Sequence, residues 1–137
     1  MTPDSIAVLA TRTLTELDHA RLAKYADGLP ASAIQSVLDN AELVAPSEIA
    51  GDVVTMRSRV QVVEPAGEHE RRTLTLSYPS DADPATGCIS VLSPVGTALL
   101  GLRVGQCAQW VAPGGAPRST RILALLFQPE ASGDFTL

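Results

Sequence analysis

A chain of 137 residues has room for one compact domain with at most a small appendage, and 45% apolar residues supply a real core and exclude wholesale disorder. Aromatic residues make up only 4%, the net charge is −5, and only one of the ten basic residues is lysine. That composition disfavours a base-stacking platform, an aromatic-lined pocket and direct DNA or RNA binding, so any work near nucleic acid is expected to go through a protein.

The amino-terminal "MTPDSIAVLATRT" has neither the basic start nor the apolar run of a signal peptide, and no segment reaches the length of a membrane span, so the expected location is the cytoplasm. Residues 14–26, "LTELDHARLAKYA", place Leu14, Leu17, Leu22 and Tyr25 near one face of a helix. A capping box at its start is offered either by Thr13 with Glu16 or by Thr15 with Asp18. "DGLP" follows as a stop-and-turn signal with Gly28 as C-cap. A second helix is expected from Ala31, with Ser32 and Gln35 as a capping box and Ile34, Val37, Leu38 and Ala41 on its apolar face. Together these predict an antiparallel helical hairpin over residues 1–45; at about 12 residues per helix and about 1.5 Å per residue it is only about 18 Å long.

From Val53 the period changes from 3.6 to 2. In "VVTMRSRVQVVEP", Val54, Met56, Ser58, Val60 and Val62 share one strand face while Arg57, Arg59 and Gln61 share the other. "RTLTLSY" repeats the alternation after a turn at Ala66–Gly67, and "GCISVLS" reads as a more apolar, central strand. "CAQWVAP", the "GGAPR" turn and "TRILALLFQ" read as a final hairpin. Residues 46–137 thus form a second, strand-rich unit, giving an α+β fold whose antiparallel sheet carries one short helix.

That helix lies in "SVLSPVGTALLGLRVG", where Gly96 and Gly101 have the spacing of a phosphate loop. Such a loop needs Lys and then Ser or Thr after the second glycine, and Leu102 and Arg103 stand there instead. The residues suit a capped helix better: Ser93 as N-cap, Pro94 at the first helical position, and Gly101 in the left-handed conformation that ends it. Elsewhere the chemistry is sparse. His19 beside Asp18 is expected on a solvated helix face, and His69 lies in the charged "GEHERR" turn, with no nucleophile motif near either. Cys88 and Cys107 lack metal-type spacing and are expected as buried strand thiols. Asp81 and Asp83 are a close carboxylate pair outside the helices, in a sequence typical of turns; Arg118 near "PGGAPR" could serve an anion, but a tight strand connection is the simpler reading. No catalytic residue, metal site or cofactor is expected, and the chain does not read as an enzyme.

The block "GCISVLSPVGTALLGLRVGQCAQWVAPGG" followed by "RIL" resembles the carboxy-terminal domain of the bacterial Gre transcript-cleavage factors. With "LDHARL", "GLP", "DVVTMRSRV" and "QPEASGDFTL", the likeness runs from about Leu14 to Leu137 and is strongest to the short-finger branch of the family, the regulators of nucleoside diphosphate kinase. The resemblance implies an FKBP-like body with an amino-terminal coiled-coil finger that partners RNA polymerase at the rim of its secondary channel. It further implies that the start of the short helix, Ser93, Pro94 and Val95, belongs to the docking surface. The finger tip would be Tyr25, Asp27, Gly28, Leu29 and Pro30. A Gre finger carries an acidic pair that helps to hold Mg²⁺ for transcript cleavage; here Asp27 has no carboxylate beside it and the finger is short, so competition with Gre factors without cleavage is the expectation. The branch name implies, as the alternative, a link to nucleotide metabolism through another protein.

Overall fold

The computed structural model describes residues 11–26, 33–64, 71–112 and 114–135. The expected tip residues Asp27, Gly28, Leu29 and Pro30, the Ser32 cap, the Ala66–Gly67 turn and His69 lie outside them. In chain order the elements are β1 (Thr13–Thr15), α1 (Glu16–Ala26), α2 (Ala33–Asn40), β2 (Glu42–Val44), β3 (Arg59–Val63), β4 (Arg71–Ser77), β5 (Cys88–Ser90), α3 (Pro94–Leu99), β6 (Cys107–Val111) and β7 (Pro117–Phe127), with short 3-10 turns between several of them.

The first helix starts two residues later than its periodicity suggests, because residues 13–15 form a strand that pairs in parallel with β2. Leu14 is fully buried from that strand. The buried face of α1 is Asp18, Leu22 and Ala26, while Leu17 is half-buried and Tyr25 is exposed. A carboxylate therefore shares the buried face on which the pattern placed Leu14, Leu17, Leu22 and Tyr25. Of the two possible caps Thr15 is the one used: its Oγ1 accepts from the Asp18 N–H at 3.0 Å. His19, expected in solvent, lies 3.1 Å from the Leu38 carbonyl through Nε2 and bridges α1 to α2. Ile34, Val37 and Leu38 of α2 are buried as predicted, and they share one apolar cluster with Val60, Leu74 and Ile122 of the sheet.

The five-stranded sheet runs β5-β4-β3-β7-β6. It is mixed rather than antiparallel, since β5 pairs in parallel with β4. Apolar content had suggested a central place for β5; it is an edge strand, and its three residues are half-buried. Cys88 and Cys107 are free and only half-buried, one on each edge strand. The β6–β7 hairpin forms as expected, and two register irregularities against β3 bend the long β7.

The expected strand from Val53 is interrupted. Thr55 and Ser58 close a tight turn, with the Ser58 N–H donating to the Thr55 carbonyl at 3.0 Å and the Thr55 N–H donating to Ser58 Oγ at 2.9 Å. Arg57 inside it has φ 67°, the only positive value at a non-glycine among the described residues. Alternation still holds over Val54, Met56, Ser58, Val60 and Val62, all buried, but Val53 and Thr55 are buried too because the turn folds back into the core.

Asp18 fastens α1 to that turn: its Oδ2 accepts from the Met56 N–H at 3.1 Å. Burial, partly offset by the Met56 bond and reinforced by the nearby Glu130, pushes its carboxyl up to about 6 from 3.8. Above pH 6 the folded protein holds a buried charge that the unfolded chain solvates freely. As the pH falls through 6 toward 3.8 the folded state takes up a proton that the unfolded state does not yet bind, so Asp18's own contribution to stability rises. Asp18→Asn, which keeps an acceptor for Met56, should therefore raise the melting temperature near neutral pH by an amount equivalent to about 2–3 kcal/mol, with the difference vanishing near about pH 4. Thermal melts of the two proteins across that range measure this, and a variant less stable at neutral pH would show that the charge stabilises the junction.

Candidate docking site

The short helix α3 is six residues long, too short to hold itself together, and its surroundings fix both ends. At the start, Ser93 Oγ accepts from the Gly96 N–H at 3.2 Å and donates to the Ser90 carbonyl at 2.6 Å. Pro94 occupies the first turn, where no N–H is missed. Gly96 sits against β5: a Cβ there would stand 2.1 Å from the Ser90 carbonyl oxygen. Thr97 Oγ1 donates to the Val91 carbonyl at 2.6 Å.

At the other end, Arg12 Nη1 donates to the carbonyls of Thr97, Ala98 and Leu100 at 3.0, 3.0 and 2.9 Å. These are carbonyls that a helix leaves without partners, and a cation there also complements the helix dipole. Burial lowers the Arg12 pKa, yet guanidinium stays charged. Gly101 follows at φ 81°, and a Cβ there would come within 2.9 Å of the Arg12 Cβ. The two glycines that mimic a phosphate loop thus permit two close approaches of chain to helix.

The consequence is a helix buried along most of its length and open at its start. Thr97, Ala98, Leu99 and Leu100 are buried, Pro94 is exposed, and Ser93 and Val95 are half-buried. Pro94 lies on the rim of a groove of about 890 Å³ between α2, α3 and β6, whose walls include Asn40, Leu92, Trp110 and Val111. Val111 is 64% exposed at the turn end of β6. Trp110 and Leu92 escaped the sequence reading; the period-2 alternation in "CAQWV", which puts Trp110 on the face of the buried Ala108, was the available signal for Trp110.

Tyr25 does not join these residues. It stacks on Tyr78, ring centroids 5.9 Å apart, and lines a separate cleft. Asp81 pairs with Arg57 at 3.2 Å and Asp83 caps a 3-10 turn through the Ala85 N–H, so the sequence-adjacent carboxylates do not converge. Arg118 pairs with Glu64. Among the described residues no three His, Cys, Asp or Glu side chains gather where a metal ion could be held, and no helix is long and apolar enough to cross a membrane.

This is an α+β arrangement, a mixed sheet with a capped short helix packed against β6. The family model for the carboxy-terminal domain of transcription elongation factors GreA and GreB matches residues 48–126, and the chain belongs to that family. It is 45% identical to the "Regulator of nucleoside diphosphate kinase" of Escherichia coli over 80% of this chain and 81% of that protein. It is 36% identical to transcription elongation factor GreA of Rhodospirillum rubrum over 61% of this chain and 52% of that protein. A solved GreA/GreB elongation factor from Nitrosomonas europaea superposes with a TM-score of 0.69 at 36% identity, covering 85% of this chain and all of its own.

Leu99 tests the packing of α3. Leu99→Ala should cost about 2–5 kcal/mol as a buried cavity, and Arg12→Met should cost about 2–4 kcal/mol by stranding carbonyls that a charged donor now satisfies. Urea unfolding of both variants measures these; a loss below about 0.5 kcal/mol for Arg12→Met would mean that α3 stands without its cap.

Proposed function

We propose that this protein is a non-catalytic regulator of transcription that binds RNA polymerase near the rim of its secondary channel and competes there with Gre factors. In this reading residues 46–137 are the FKBP-like docking body, residues 1–45 are the finger, and the setting is the cytoplasm. The observation that carries it is the exposed Pro94 at the start of an otherwise buried helix, beside a groove with a half-buried tryptophan. Aromatic side chains in partly formed pockets are the usual anchors of protein interfaces. Membership of the elongation-factor family supports the kind of partner, and Ser93, Pro94 and Val95 are the residues proposed to meet it.

Transcript cleavage is not part of this function. The finger helices have 11 and 8 described residues, about 16 and 12 Å at about 1.5 Å per residue, so reach is limiting. Asp27 is the one acidic residue of the proposed tip, without the neighbouring carboxylate needed to share a Mg²⁺ ion. A second reading, regulation of a nucleoside diphosphate kinase through protein contact, is favoured by the name of the 45% identical relative. Both are binding functions, and the polymerase reading has the groove behind it.

Pro94→Glu separates docking from folding. The variant should melt within a few degrees of the parent, because the first helical turn does not need proline, but it should compete at least about tenfold less well against a Gre factor for RNA polymerase. Undiminished competition by Pro94→Glu would remove the start of α3 from the interface, and capture of a nucleoside diphosphate kinase instead of polymerase subunits from a bacterial lysate would favour the second reading.

A further inference from the structure

The charges of this chain are segregated by element. Of its ten basic residues, Arg59, Arg71, Arg72, Arg118 and Arg121 stand in the five-stranded sheet, and not one of the fifteen Asp and Glu does. The remainder of an already acidic chain therefore sets five basic residues against fifteen carboxylates. Such a division puts a positive surface on a strongly negative body.

Strand pairing decides where those arginines point, because residues directly opposite on neighbouring strands share a face. Val63 of β3 pairs with Arg71 of β4 and with Arg121 of β7, and Arg59 pairs with Thr75 and Phe127. Between these two rows Gln61 pairs with Thr73 and Ala124. Arg59, Gln61 and Val63 alternate with Val60 and Val62, which belong to the apolar cluster shared with the helices. The arginine rows thus occupy the other side of the sheet, where Arg59, Arg71, Thr73 and Arg121 are all exposed. Val63 is 9% exposed, as befits a small side chain between two arginine stems. The ion pairs among the described residues use Arg57, Arg103 and Arg118, so Arg59, Arg71 and Arg121 have no carboxylate partner there. None of the three lines the groove beside Pro94 or the cleft at Tyr25.

The spacing narrows the ligand. Two strand spacings separate Arg71 from Arg121, about 10 Å, and four residues of β3 separate their row from Arg59, about 13 Å. That spread suits separate anionic groups, three or four residues apart on an extended chain at about 3.3 Å per residue, better than one small anion. The side chains between the rows are short, Gln61, Thr73, Thr75 and Ala124, and allow a chain to lie close. Phe127, 38% exposed, adds one apolar contact beside Arg59. A polynucleotide is the poorer match. Its charge is continuous, so beyond this face it must run past the acidic remainder, while only a few phosphates meet a guanidinium. A short acidic protein segment confines its charge to the face.

We propose that the outer face of β3, β4 and β7 docks an extended acidic segment of a partner protein, with spaced carboxylates on Arg59, Arg71 and Arg121. Guanidinium holds a carboxylate through paired N–H donors, and a complementary charge also speeds encounter. The face lies across the sheet from the helices and is separate from the proposed polymerase contact at Pro94.

The test is fluorescence anisotropy of a labelled Glu-Thr-Thr repeat peptide of about twelve residues, whose glutamates recur every 10 Å or so, titrated with the full chain at low salt. The dissociation constant should be on the order of 100 μM or tighter. It should weaken at least about threefold between about 50 and about 200 mM salt. The double variant Arg59→Gln/Arg121→Gln should bind at least about tenfold less well while melting within a few degrees of the parent, because both side chains are exposed and unpaired. A peptide of the same composition with its glutamates contiguous should bind about threefold less well. Pro94→Glu should leave both peptide affinities unchanged, so that this proposal and polymerase docking fail separately. No binding at about 1 mM protein, or binding undiminished in the double variant, would overturn the site, and equal binding of the two peptides would overturn the spacing. Tighter binding of a single-stranded RNA of the same length would make the face a nucleic-acid surface. Self-association abolished by the double variant would make a second copy its occupant, and either result would overturn the acidic-segment assignment.

Discussion

Three carbonyl oxygens at the end of a six-residue helix meet one guanidinium, and much of the fold is arranged around that contact. The helix cannot stand alone, because a single turn and a half does not recover the cost of nucleation. Arg12 supplies the missing partners from the far end of the sequence, 85 to 88 residues away. To deliver it, the chain must pass along the end of α3. The Thr13 N–H donates to the Gly101 carbonyl at 3.1 Å, and the Arg12 carbonyl accepts from Glu42 at 2.8 Å. Thus β1, β2 and the exit of α3 are laced together, and only glycine fits at the crossing.

A second junction, chemically opposite, holds the helices to the sheet from the other side. There a carboxylate is buried instead of a cation. Asp18 accepts from Met56, and Thr55 Oγ1 donates to Glu130 at 2.8 Å, so both polar ties run through the same tight turn. The turn in turn rests on β4, with Arg57 N–H on the Leu76 carbonyl at 2.7 Å. Between the two junctions the contact is apolar, with Leu22, Ile34 and Leu38 in the cluster that also contains Leu74 and Ile122. The roots of the helices are therefore seated in the core of the body, and motion of the helices relative to the sheet would have to break either Asp18–Met56 or this packing.

The distinction between legible and illegible features follows from how local each one is. The Ser93 cap, the Pro94 start and the Gly101 stop are local chemistry, and α3 appeared where those residues put it. The β6–β7 hairpin and the α2 face, with Ile34, Val37 and Leu38, rest on short-range periodicity and were equally legible. Asp18 was not, because a buried carboxylate is stabilised by a donor 38 residues away that no pattern announces. Nor was the edge position of β5: three half-buried residues next to a helix look as apolar as a central strand. The turn at Arg57 was hidden for a related reason, since alternation of Met56, Ser58 and Val60 continues through a turn that places a non-glycine at φ 67°. For the site, the helix start was readable from resemblance, whereas the groove wall at Trp110 and the convergence of Arg21, Lys24 and Arg57 arise only when distant segments pack.

The placement of the two concavities follows from how the helical pair is seated. The groove beside Pro94 is walled by α2, α3 and β6, and the cleft at Tyr25 by α1, the Thr55–Ser58 turn and the segment after β4. One helix of the amino-terminal pair therefore contributes to each, and His19 couples the two helices through the Leu38 carbonyl. α1 is held to that turn through Asp18 and is joined to α2, which forms a wall of the groove beside Pro94. Coupling between two surfaces would require an element that both of them bias, and the helical pair is the element these two share.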